Sequence, residues 1–176
     1  MSRRGHAMTD QRGRGPDFDT EAASPGVADP ALPERIRHLV RNEPYAILST
    51  QGDGQPYASI VAFAMTDDFR TAVFATPMAT RKYRLLTACE RVALLVDNRC
   101  KYPDDMMRIE AVTATGRAMQ VERGEEFDRW ARVLVARHPY LGAFVASPSV
   151  ALFRVEIVRF FHVERFQEVR EWRPGA

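Results

Sequence analysis

Between Tyr45 and Thr76 the chain carries three short runs rich in apolar, β-branched and aromatic residues, YAILST, YASIVAFAM and TAVFAT, separated only by QGDGQP and TDDFR. A parallel pair needs a connection of a dozen residues or more, so runs this close together must pair antiparallel. Within the first separator, Asp53-Gly54 supplies the positive-φ chemistry of a tight hairpin turn. The third run stops at Pro77, which has no N–H to donate to a ladder.

The same grammar continues downstream. RVALLVDNR and IEAVTATGRAMQVE read as strands joined by the loop CKYPDDMMR, whose proline and paired acids favour turns. VALFRVEI and VRFFHVERFQEV read as two further strands that close the chain before the breaker Pro174. Three helices accompany them. One begins in DPALPERIRHLVRNE, capped at Asp29 or a following residue, with Leu32, Ile36, Leu39 and Val40 as its apolar stripe. A second opens at Arg81. The third lies in GEEFDRWARVLVARHPYL, where Phe127, Trp130, Ala131 and Leu134 share a face and the acids precede the arginines, as the helix dipole favours. About seven strands and three helices at this spacing predict a mainly β fold, a closed antiparallel barrel with attached helices.

At 176 residues the chain has room for one such core. Residues 1–28 contain almost no large apolar side chain and read as a flexible tail, leaving 29–176 as the domain. His6 and the tail's arginines are offset by Asp10, Asp17, Asp19 and Glu21, and the whole chain sets 25 Lys and Arg against 23 Asp and Glu. That balance carries no one-sided basic block, so no nucleic-acid partner is expected. Cys89 and Cys100 form no CxxC and have no histidine cluster beside them, so neither zinc nor a redox dithiol is expected. No apolar run approaches the ~18 residues of a membrane span, and no signal peptide is visible; the expected compartment is the cytoplasm, without a membrane partner.

The stretch FATPMATRKYRLL, Phe74 to Leu86, switches from strand to helix and raises the functional question. Thr80 is a good N-cap, and the backbone N–H groups after it attract anions. Arg81 and Lys82 therefore oppose the helix dipole, by ~0.3 to 1 kcal/mol each at exposed sites. A bound phosphate would satisfy the N–H groups, the guanidinium fork and the ammonium together, with the Thr76 hydroxyl approaching from the strand end. Two solvated cations on a surface helix are the other reading, and these residues alone leave both open.

The segment from Pro44 to Asn98, PYAILSTQGDGQPYASIVAFAMTDDFRTAVFATPMATRKYRLLTACERVALLVDN, resembles the FMN-binding split barrel of the pyridoxamine 5′-phosphate oxidase-like superfamily. In element order the resemblance continues to about residue 170. It implies that Arg81 and Lys82, after the cap Thr80, hold the FMN phosphate, that Ala75 and Thr76 line the ribityl chain, and that Ser59, Ile60, Val61, Ala62, Phe63 and Ala64 border the flavin ring. It also implies a homodimer that builds each flavin site from both subunits. Two positions depart from the oxidase proper. Its basic residue on the second strand is matched here by Ala64, and its C-terminal Arg and His pair has no counterpart in VREWRPGA.

Several residues outside this motif also bear on the site. Asn98 and Arg99, at the end of a strand, offer polar contacts to the cofactor or simply form a turn. Arg117 follows a glycine inside a strand, which marks a bulge or a close backbone approach, and would face a dimer-related cofactor. His38 beside the first helix's stripe reads as a packing residue. His162 shares a strand face with Phe160 and Glu164 and, lacking a visible partner, reads as a structural or interface histidine rather than a haem ligand. Trp172 either stacks at the site's mouth or caps the barrel. The resemblance thus implies an FMN-dependent oxidoreductase acting on a small-molecule substrate, but not authentic pyridoxamine phosphate oxidation. Its family also includes deazaflavin (F420) users and haem-utilisation proteins, so the competing expectation is a non-catalytic flavin- or haem-binding protein for storage, sensing or haem utilisation.

Overall fold

A computed structural model describes residues 29–52, 54–165 and 168–175. The expected tail, 1–28, and Asp53 of the first hairpin lie outside the described residues. Among the described residues there are seven strands: β1 (Tyr45–Gly52), β2 (Gln55–Met65), β3 (Thr71–Pro77), β4 (Arg91–Asp97), β5 (Ala111–Val121), β6 (Val150–Glu164) and β7 (Glu168–Trp172). They hydrogen-bond in the order β3-β2-β1-β4-β5-β6-β7, and β3 also pairs with β6. Six strands therefore close on themselves and β7 extends β6 outside the ring. This is the split barrel, mainly β with helices attached.

Strand alternation builds the interior. Ala46, Leu48 and Thr50 of β1, Val92, Leu94 and Val96 of β4, and Val112, Ala114 and Ala118 of β5 all point inward and are buried. Helix α1 (Leu32–Asn42) lays Leu32, Ile36, Leu39 and Val40 onto this core, the stripe expected from its spacing. Its start is held by Asp29, whose carboxylate accepts from the Ala31 N–H at 3.0 Å, while Ala31 itself occupies the cap position. At its other end Arg137 donates to the Val40 carbonyl at 2.8 Å, a cation placed where the dipole favours one. Helix α2 (Arg81–Ala88) packs Leu86 into the same core. Helix α3 (Glu125–Arg137) and the short α4 (Gly142–Ala146) cover a second cluster outside the barrel wall, where Phe127 and Leu134 meet Ala64, Val73 and Leu152.

Two expectations need correction. VALFRVEI and VRFFHVERF are not separate strands: β6 runs unbroken from Val150 to Glu164, and EVREW is the last strand. The apparent break is a bulge. Thr115 faces Arg159 while Gly116 faces Ile157, so Val158 is an extra residue that resets the alternation and stands 45% exposed. Among the described residues the helix count is also higher than three, because α4 and three 3-10 turns add to it, one of them inside the loop CKYPDDMMR and another overlapping its start. No helix among the described residues is long and apolar enough to cross a membrane.

Candidate cofactor site

The site begins where two strands part. β2 and β3 pair through only three residue pairs, Phe63 with Phe74, Ala64 with Val73 and Met65 with Ala72. Below Phe63, β2 continues through Gln55–Ala62 paired with β1 alone, while Ala75, Thr76 and Pro77 of β3 pair with β6 alone. One backbone edge of β2 is thus left without a strand partner among the described residues, and its N–H and C=O groups are available to something else.

The start of α2 enters this gap. Thr80 caps the helix, its hydroxyl accepting from Tyr83 N at 3.2 Å and donating to the Pro77 carbonyl at 2.8 Å. The Thr76 hydroxyl lies 3.2 Å from that of Thr80, so the strand end and the helix start are tied side chain to side chain. Lys82 reaches across and donates to the Ile60 carbonyl at 3.2 Å, on the open edge of β2. Arg81 places its guanidinium 5.2 Å from the centre of the Tyr57 ring, on the same strand. Lys82 therefore faces the gap, while Arg81 stands exposed beside it against Tyr57.

Electrostatics make the gap receptive to an anion. Burial pushes the Lys82 ammonium down from its ordinary value, with one neutral carbonyl as its hydrogen-bond partner. The first turn of α2 carries no acid. Ser59, one residue before Ile60, holds a buried hydroxyl oxygen with no hydrogen-bond partner, on the β2 face that also presents Tyr57. A half-desolvated ammonium, a guanidinium, free helix N–H groups and an orphaned hydroxyl fit a phosphate attached to a polar heterocyclic ligand.

Thr76 meets Thr80, Lys82 meets Ile60 and Arg81 stands over Tyr57; Ala62 and Ala75 lie on the two strands just where they part, and Ser59 alternates with them onto the face shared by Val61 and Phe63. Ile60 is 72% exposed on the outer face and Ala62 is half-buried there. Val61 and Phe63 point into the barrel core, and Ala64, beyond the split, is buried under α3. The remaining expected residues stand elsewhere in the chain. Asn98 closes the loop between β4 and β5, accepting from Glu110 N at 2.8 Å, and Arg99 pairs with Asp97 at 2.8 Å. Arg117 is exposed, 3.7 Å from Glu90. Trp172 stacks on Phe160 at 5.2 Å and packs against Phe69, on the β7 side of the barrel.

Sequence reasoning missed two histidine environments. His162 is fully buried and its Nε2 lies 2.9 Å from Glu110 Oε2, a partner not evident from the sequence. His138, just after α3, is also buried, with Nε2 2.9 Å from the Phe63 carbonyl at the closed end of the split and Nδ1 3.4 Å from the exposed Tyr140 hydroxyl. The residue pair His138-Pro139 at a helix end was its only local signal, and that signal speaks of a helix stop.

A model of the pyridoxamine 5′-phosphate oxidase family matches residues 32–164. The chain belongs to that family. Among solved structures, a haem-binding protein from Mycobacterium smegmatis superposes with a TM-score of 0.73 at 17% identity, over 84% of this chain and 60% of that one. The chain thus spans less than two thirds of that protein. A general stress protein 26 relative from Clostridium acetobutylicum, of the pyridoxinephosphate oxidase family, superposes at 0.66 and 12% identity, over 83% and 96% of the two chains. An FAD-binding protein from Mesorhizobium loti superposes at 0.58 and 17% identity, over 74% and 90%. At these identities the likeness is one of fold. No curated protein matches the sequence. The family's split barrel is the frame in which the open edge of β2 and the capped start of α2 meet.

Proposed function

We propose that this family member binds a flavin, as FMN, in the split between β2 and β3 and serves as a flavin-dependent oxidoreductase. The observation that carries the reading is the unpaired edge of β2 facing two cations and a capped helix start, with Lys82 bridging them. Arg81, Lys82 and the first N–H groups of α2 would hold the phosphate, and Thr76 and Thr80 would meet the ribityl hydroxyls. The backbone of Ser59–Ala62 would offer donors and acceptors to the edge of the ring. A bound flavin supplies hydride and electron transfer, and the chain's task is to fix its position and tune its electronics.

The described histidines favour flavin over haem. His138 and His162 are buried with their Nε2 atoms engaged, and only His38 is exposed. Ala64 is buried, so no cation stands there for a second phosphate, in keeping with a substrate other than pyridoxamine phosphate. The exposed Ile60, with the exposed Ala58 and half-buried Ala62 on the same outer face, suits a homodimer that completes the site. An absorbance spectrum of the full chain, reconstituted in turn with FMN and with haemin and then desalted, tests the cofactor. Retained flavin bands in the blue are expected; an intense Soret band with no retained flavin would replace this reading with haem binding.

A further inference from the structure

Three polar side chains lead from the closed end of the split to the surface. His138 follows α3, and Pro139 opens the 3-10 turn Pro139–Leu141. The bond from Leu141 N to the His138 carbonyl, at 2.9 Å, folds Tyr140 back edge-on to the imidazole, with 5.7 Å between ring centres. Tyr45 of β1 stacks on the same imidazole at 6.3 Å. The Tyr140 hydroxyl lies 3.4 Å from His138 Nδ1 and 3.4 Å from the Tyr45 hydroxyl. His138 is 3% exposed, whereas Tyr45 and Tyr140 are 51% and 64% exposed, so the path starts inside the protein and ends in solvent.

Counting protons gives this path two states. The Phe63 carbonyl, 2.9 Å from Nε2, can only accept, so Nε2 keeps its hydrogen whether the ring is neutral or charged. Nδ1 is then the ring position that exchanges a proton, and Tyr140 is its partner. With the ring neutral, Tyr140 donates to Nδ1. With the ring protonated, Nδ1–H donates to Tyr140, Tyr140 donates to Tyr45, and the Tyr45 hydrogen is left free for a neighbouring acceptor. Among the described residues no carboxylate pairs with His138, and the adjoining Arg137 turns to the Val40 and Glu43 carbonyls instead. Tyr45 stands directly opposite Ala62 in the β1–β2 ladder, on the same outer face, beside the strand edge proposed above to meet the flavin ring.

We infer that His138, Tyr140 and Tyr45 form a proton relay that ends at the flavin site and serves substrates whose reduction places a proton on an oxygen. This rests on the flavin position proposed above, with the electrons coming from the reduced flavin. The Tyr45 O–H bond breaks as its hydrogen passes to the substrate oxygen, Tyr45 takes the proton of Tyr140, and Tyr140 takes the one on Nδ1. Neutral His138 remains bonded to Phe63, and solvent returns the proton through the exposed hydroxyls. Tyr45 is the group that touches substrate, and His138 and Tyr140 act through it. The two 3.4 Å links are long for hydrogen bonds, as is common in catalytic paths that tighten on a bound ligand.

Two measurements test the relay. In the flavin-free chain, nitrogen NMR of the imidazoles should show neutral His138 with its hydrogen on Nε2 and Nδ1 as the nitrogen that titrates, and Tyr140→Phe should shift that titration. The opposite tautomer, or a titration indifferent to Tyr140→Phe, would overturn it. In the FMN-loaded, reduced chain, the reaction with benzoquinone, which takes up protons with its electrons, is compared with that of ferricyanide, which takes electrons alone. Tyr45→Phe and His138→Gln should each lower the quinone rate relative to the ferricyanide rate about a hundredfold, as loss of a general acid does. Glutamine keeps a donor for the Phe63 carbonyl but has no proton to pass on, so it would rescue a merely structural histidine. An unchanged ratio in either variant would overturn the relay and leave the flavin site standing. Failure to bind FMN, or no reaction with either acceptor, would overturn the flavin reading and the relay with it.

Discussion

Glu164 links three elements through a single carboxylate. From β6 it accepts from Arg35 of α1 and pairs with Arg170 of β7 at 2.9 Å, and Arg170 in turn reaches Asp29 at 2.9 Å. The hydrogen bond from Arg35 is the main cause holding the Glu164 carboxyl below its ordinary value of 4.5, with the charges of Arg35, Arg170 and His162 adding to it against the cost of burial. A carboxyl depressed in the folded state contributes stability that is present above that ordinary value and is lost as pH falls through the depressed one. Glu164→Gln should therefore cost about 1 to 3 kcal/mol at neutral pH and lose less stability than the parent on acidification below pH ~4.5. Chemical denaturation across that pH range checks it, and an acid limb identical to the parent's would remove Glu164 as its source. Thr80 and Arg81 could be read from sequence because a cap and its helix are neighbours in the chain. His162 and Glu110 are 52 positions apart, and His138 and Phe63 are 75, so only the closed barrel reveals those partners.

Among the elements, β6 shows how a bulge misleads a periodic reading. Burial alternates from Phe153 to Ile157 and again from Phe160 to Glu164, with the exposed Val158 at the change of phase, and one strand reads as two. Gly116 on the facing strand was legible as a bulge or a close approach, and it is both. A methyl there would fall against the Glu156 carbonyl oxygen and within 3.0 Å of Val155 Cγ1, neither of which lies at the end of a flexible chain. Gly116→Ala should destabilise the protein by about 1 to 3 kcal/mol, read as a lowered denaturation midpoint. A midpoint equal to the parent's would mean that the bulge yields freely. The split between β2 and β3 was not legible in the same way. Ser59–Ala64 is uniformly strand-like in sequence, and only the register shows that the ladder to β3 stops at Phe63.

For the whole molecule, a single barrel leaves the outer face at Ile60 to solvent, 72% exposed. A permanent homodimer covering that face would bury more than ~2,000 Å² and persist on dilution. Sedimentation at low micromolar concentration should show twice the 20.0 kDa chain mass; a single species at the chain mass would reject the dimer and confine the site to one subunit. The barrel class and the helix that opens the site follow from local spacing and turn chemistry, whereas the total of seven strands agrees only because β6 reads as two and β7 is merged with its end. Closure of β3 onto β6 joins runs on either side of α3, and pairing at that range has no local signal.

The phosphate position can be isolated by titrating the full chain with FMN and with riboflavin, which differ by the phosphate alone, and following flavin fluorescence. The unpaired edge of β2 and the cations Arg81 and Lys82 predict that FMN binds about tenfold more tightly or better than riboflavin, and that Arg81→Ala brings FMN close to riboflavin without altering the fold. Equal affinity for the two ligands, or an Arg81→Ala variant that binds FMN as the parent does, would contradict it.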